Sequence, residues 1–243
     1  MEGSLEKKPK GTFESTYGRV LTGFMVAANP FKKIAFKTPC MVHRYINIQA
    51  VQILDNEGHT QAAHFYKAFI KQLNEGAVWA DQDFKSINHF YHNKMHKGLY
   101  GFSDALSEAR KYRDKSLFFL EKGNVYRSVF YLGVVAHLIQ DMTVPQHVNN
   151  RLLDSHKSYE TWIKEKIFAE IDYSVHEGVE RFDHFDDYIR ENAKTANVLY
   201  EKYSGDEDKE KVYYELSTQL IAEAQRTTAG LLLDFYEEHY SGI

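Results

Sequence analysis

Apolar residues recur three and four positions apart through most of the chain beyond residue 40, and that spacing predicts helices rather than strands. Val42, Ile46, Ala50 and Ile53 define a first helix over 41–55, with Gly58 just past its end. Phe65, Phe69, Ile70 and Leu73 define a second over 60–74, with Gly76 placed as its C-terminal cap. The period is lost over 76–101, which reads as short turns and loop. Ser103 caps a third helix over 103–121 that stops at Gly123, and Asn124 caps a fourth over 125–142 that Pro145 ends. Further helices fit 154–172, 183–203 and 206–240, the last two parted by the polar turn SGDEDKEK. Phe118, Phe119, Phe130 and Tyr131 fall at positions that read as core.

Composition narrows the picture. Of 4 prolines in 243 residues only Pro145 lies beyond residue 40, and alternating β-branched runs are scarce. The expected fold is therefore all-α: a single-domain bundle of about seven or more helices. Residues 1–37 read as an N-terminal extension, a pro or leader segment, and 38–243 as the helical domain. Within the extension the run Val20–Ala28 follows Arg19 as a secretory signal would, although Glu14 and Thr22-Gly23 depart from that template. No stretch reaches the roughly 18 apolar residues of a membrane span. With 30 basic against 34 acidic residues and a net charge of −4, the overall charge argues against a general nucleic-acid coat or a polybasic membrane clamp. The lone Cys40 precludes an internal disulfide and any C-x-x-C site.

The 12 histidines carry the chemical signal. His137 and Asp141 stand four apart on the fourth helix, so one face presents both. His147 follows just past Pro145, and His156 and Glu160 repeat the four-residue spacing. Asp81 and His89 lie in the aperiodic stretch, and His43 on the first helix. Each pair alone is an ordinary surface pair worth a few tenths of a kcal/mol. Their succession beside FYLGVVA, with Tyr159, Trp162 and Ile163 close by, is too ligand-rich for a solvated face. Imidazole and carboxylate are the donors zinc takes in catalytic sites, so the bundle is expected to surround a multinuclear metal site.

The segment FYLGVVAHLIQDMTVPQHVNN (130–150) resembles the core motif of the bacterial zinc-dependent phospholipases C. GAVWAD (76–81), NHFY (88–91), HKSYE (156–160) and AQRTTAG (224–230) extend the resemblance in order over residues 38–240. It implies two to three zinc ions, held by His43, Asp81, His89, His137, Asp141, His147, His156 and Glu160, with Asp141 bridging two of them and Asp81 also the candidate general base. It further implies hydrolysis of a glycerophospholipid to diacylglycerol and a phosphorylated headgroup at a membrane surface, outside the cytoplasm, with no stable nucleic-acid partner. Two departures stand out: no Trp precedes His43, where the family uses a mature N-terminal Trp, and Gln82 replaces the Tyr that follows the Asp81-type ligand in phosphatidylcholine-cleaving members. Headgroup contacts are then expected from Gln82, Phe84, Tyr91 or Tyr100. Oligomeric state is open, and two other functions fit the same ligands: a single-strand-specific zinc nuclease, and a non-catalytic zinc-stabilised headgroup-binding protein.

Overall fold

The computed structural model describes residues 40–82, 88–92, 103–148, 159, 161–163, 165–166 and 172–242. Among the described residues the bounded α-helices run in order: α1 Met41–Asn56, α2 Thr60–Ala80, α3 Ala105–Glu121, α4 Val125–Asp141, the single turn α5 Pro145–Val148, α6 Phe185–Tyr203 and α7 Lys209–Phe235. A π-helical turn, Tyr236–Tyr240, continues α7. Among the described residues there is no strand, so the all-α expectation holds. The expected segment 1–37 and most of the expected helix at 154–172 lie outside the described residues.

Local chemistry sets most helix ends. After α1, Gly58 takes the left-handed conformation (φ 86°), and the His59 amide returns to the Leu54 carbonyl at 2.9 Å. Gly123 (φ 70°) closes α3 in the same way, with the Asn124 amide on the Phe119 carbonyl at 2.8 Å. Asn124 then caps α4 by accepting from the Arg127 amide at 3.0 Å. The third helix starts later than its pattern suggests. Asp104, not Ser103, is the cap, its carboxylate accepting from the Ser107 amide at 2.8 Å. Asp208 caps α7 through the Glu210 and Lys211 amides.

α4 is the central element, buried almost continuously from Leu132 to Asp141 and packed against α1, α2, α3, α6 and α7. Its contact with α2 corrects the expected end of that helix. Gly76 is not a cap: α2 runs on to Ala80, and Gly76 lies inside it where a Cβ would overlap the Phe130 carbonyl. Gly133 of α4 answers from the other side, against the Leu73 carbonyl. Two missing side chains therefore let two backbones touch. Around this seam Ile53, Leu54, Leu73, Leu132, Val135, Leu138, Ile139, Ala224 and Leu232 form the core. Phe118 does not join it: at 52% it is exposed, as is Tyr126 at 64%.

Candidate metal centre

Three elements bring polar groups to the C-terminal end of α4. The α1 helix begins at Met41, directly after Cys40, and carries His43 in its first turn. The segment 88–92 lies against α5, with the Tyr91 amide donating to the His147 carbonyl at 3.1 Å, and so seats His89. α4 presents His137 and Asp141 from one face. Asp141 divides its carboxylate between them. Oδ1 lies 3.4 Å from His43 Nε2, while Oδ2 lies 2.8 Å from His89 Nδ1 and 3.1 Å from His137 Nε2. His89 Nδ1 and His137 Nε2 are 3.3 Å apart. Donor atoms of His43, His137 and Asp141 all fall within 4.8 Å of one another.

The surrounding hydrogen bonds fix which nitrogen of the His43 and His147 rings is a lone-pair donor. Gln140 commits its amide nitrogen to Asn47 Oδ1 (2.8 Å) and Thr228 Oγ1 (3.2 Å), which leaves its oxygen as the acceptor facing His43 Nδ1 at 2.9 Å. His43 therefore carries its proton on Nδ1, and Nε2 turns a lone pair toward Asp141. Asn47 in turn donates to Asn74 Oδ1 at 3.0 Å. His147 is oriented likewise: Nδ1 lies 3.2 Å from the His89 carbonyl, which can only accept, so its Nε2 bears the lone pair. Its ring stacks on Phe90 with centroids 4.8 Å apart.

Such an arrangement is poor on its own and good around a cation. A lone pair of His43 and a carboxylate oxygen face each other without a proton between them. Asp141 Oδ2, though close to two rings, makes no properly aligned hydrogen bond, and it is fully buried. Leaving a buried carboxylate oxygen so costs several kcal/mol, on the order seen for unpaired buried charge. Electrostatics prepares the same state. Burial foremost, and then the neighbouring His137, push His43 below the usual imidazole range, with Asp141 and Asp81 opposing. Burial alone would raise the Asp141 carboxyl, but His137 and His147 and the contacts of His137 and His89 hold it well below the usual carboxylate range. Neutral imidazole and ionised carboxylate are the forms that bind metal, and the donor set fits zinc.

The remaining expected residues divide. Asp81 follows α2 directly, is exposed, and accepts from the Cys40 thiol at 2.9 Å. Its charge reaches His43. Gln82 beside it is exposed. Tyr91 is buried, and its hydroxyl is raised by burial and held against Arg190. Phe84, Tyr100, His156 and Glu160 lie outside the described residues. Sequence reasoning missed Gln140, Asn47, Asn74 and Thr228. A signal was there: Asn47 is four residues after His43, Gln140 three after His137, and each interrupts an apolar stretch.

No helix among the described residues is long and apolar enough to cross a membrane. Comparison with known proteins agrees with the geometry. The phospholipase C of Listeria monocytogenes is 26% identical, over 80% of this chain and 76% of that protein. Two solved structures share the fold: the alpha toxin from Clostridium absonum, with TM-score 0.70 and 19% identity over 81% of this chain, and the Clostridium perfringens alpha-toxin from an avian strain, with 0.71 and 20% over 86%. This chain spans 63% and 66% of the lengths of those two toxins. Residues 42–229, which hold every element that builds the centre, match the zinc dependent phospholipase C family, and the chain belongs to it.

Proposed function

We propose that this chain is a zinc-dependent phosphodiesterase that cleaves a glycerophospholipid between glycerol and phosphate, releasing diacylglycerol and a phosphorylated headgroup. The observation that carries the proposal is the convergence of His43, His89, His137 and Asp141 on one buried point, with Asp141 split between two sets of donors. Asp141 with His43, and Asp141 with His89 and His137, would each hold an ion, and His147, His156 and Glu160 would hold another. Zinc bound there supplies an acidified water and offsets charge developing on the phosphoryl oxygens.

The chain's own residues do the rest. His43 and His147 are pinned by hydrogen bonds on Nδ1, so their Nε2 atoms need no reorganisation to bind. Asp81 stands at the exposed edge, within electrostatic reach of His43, where its carboxylate takes a proton from the attacking water. Gln82, adjacent and exposed, meets the headgroup with an amide rather than an aromatic face. Action outside the cytoplasm belongs to the same proposal and is supported by the family alone.

The deciding experiment compares zinc-loaded wild type and Asp81→Asn on phosphatidylcholine vesicles and on single-stranded DNA. The expected result is diacylglycerol release by wild type, no DNA cleavage, and a loss of roughly 10²- to 10⁴-fold in the variant. DNA cleavage without lipid turnover would transfer the chain to the nuclease reading. Zinc binding with no turnover of either would make it a non-catalytic binder.

A further inference from the structure

The antiparallel pair α3–α4 carries a ladder of aromatic rings that the metal centre does not use. It starts at Trp79, in the last turn of α2 and two residues before Asp81, whose ring meets Tyr112 at 5.7 Å and Tyr131 at 6.4 Å between centroids. Tyr131 stacks on Phe119 at 5.4 Å, and Phe119 meets Phe118 edge-on at 5.4 Å. Phe118 and Tyr126, at the end far from the centre, are the most open large apolar side chains of this hairpin, 52% and 64% exposed.

Cations lie over these rings. Lys115 is 5.1 Å from the Tyr112 centroid and 5.4 Å from that of Tyr131. Lys122 is 5.7 Å from Phe118, and Arg127 is 5.1 Å from Phe119. None of these three has a carboxylate partner among the described residues. Residues 108–127 hold six basic against three acidic side chains, a local excess of +3 in a chain of net charge −4. An ammonium over an aromatic face is a closed form of an interfacial anchor. Its methylenes shield the ring in water, and when a phosphate layer arrives the charge can swing to it and uncover the ring for the headgroup–acyl boundary.

We propose that this α3–α4 face is the surface by which the protein docks on phospholipid bilayers, with Phe118 and Tyr126 entering the interface and Lys115, Lys122 and Arg127 meeting lipid phosphates. The proposal deepens the function above and rests on it for the lipid nature of the partner. The ladder runs from the exposed end of the hairpin to Trp79, two residues before Asp81, so the docked face continues toward the segment that carries Asp81.

The test is sedimentation with phosphatidylcholine vesicles containing some phosphatidylserine. The zinc-loaded full chain is used in an Asp81→Asn background, so that binding is read without turnover. Phe118→Ser with Tyr126→Ser, and separately Lys115→Glu with Lys122→Glu, are expected to lower the bound fraction roughly tenfold or more, while Phe118→Trp and Lys122→Arg keep it. With Asp81 intact, hydrolysis of a short-chain phosphatidylcholine below its micelle concentration should be unchanged by either pair. Vesicle binding equal to wild type in both pairs would overturn the proposal, and so would an equal loss on the dispersed lipid. Absence of turnover by wild type on either lipid would sink the proposed function, yet vesicle partition would still decide this one.

Discussion

At the scale of single residues, the most consequential side chain without a place among the ligands is Gln140. It is 1% exposed and joins His43 to Asn47 and Thr228, so it holds together α1, α4 and α7 at the centre. Its role is positional: the amide oxygen keeps the His43 proton on Nδ1 and the lone pair of Nε2 inward. Replacing it by leucine of similar bulk would leave Asn47 and His43 each short of a partner. That orphaning costs about 1–3 kcal/mol of stability. A structural role alone would stop there. Because His43 would also be free to change tautomer and rotate, zinc affinity in Gln140→Leu should fall by a further 10–100-fold, read by competition with a chromophoric chelator. Unchanged affinity in a destabilised but folded variant would reduce Gln140 to core packing. Such a residue is half legible in sequence. The helical spacing from His137 shows that Gln140 shares its neighbourhood, whereas its partners arrive from residues 93 and 88 positions away and depend on the fold.

At the scale of elements, the α2–α4 seam governs where the centre sits, since α2 delivers Asp81 and α4 delivers His137 and Asp141. Gly76 and Gly133 let the two helices touch backbone to backbone. Alanine at position 76 would collide with the Phe130 carbonyl, which cannot turn away without breaking α4. The gain in helix propensity, about 1 kcal/mol, is outweighed by helix displacement of the overpacking kind, about 1–3 kcal/mol or more. Gly76→Ala should therefore lower Tm, by up to about 8 °C in thermal unfolding, with zinc affinity weakened as Asp81 shifts. A rise in Tm would show that α2 and α4 separate freely. The same glycine explains one misreading. A glycine after a periodic run is most often a cap, and the sequence does not distinguish that from a close approach, because the deciding atom belongs to residue 130. Helix starts set by local hydrogen bonds, as at Asn124, were legible; the open aromatic face of α3 was not, because a periodic apolar stripe predicts burial but not the element that would cover it.

At the scale of the whole molecule, the centre is a meeting of distant parts: His43 from α1, His89 from the segment after α2, His137 and Asp141 from α4. Only the last pair is deducible from spacing. The other two stand out as candidate ligands, but only the resemblance joins them to that pair, since nothing local to residue 43 or 89 says which helix end it will face. This dispersion has a thermodynamic consequence. The fold gathers lone pairs and a buried carboxylate within 4.8 Å, so without a cation it works against their mutual repulsion and against the orphaned Asp141 oxygen. Metal that binds the folded chain and not the unfolded one then stabilises by mass action, about 4 kcal/mol at a thousandfold excess over Kd for one site. For a chain of this size that corresponds to roughly 8–16 °C in Tm. Stripping the protein with a chelator and removing the chelator should lower Tm by that much, and micromolar zinc should restore it. Magnesium should not, because a hard ion prefers an all-oxygen shell to imidazole. Calorimetry on the stripped, zinc-restored and magnesium-treated protein reads all three states. Equal Tm values with and without zinc would mean that the buried cluster is satisfied by protons and packing alone, and the ligand assignment would fall with it.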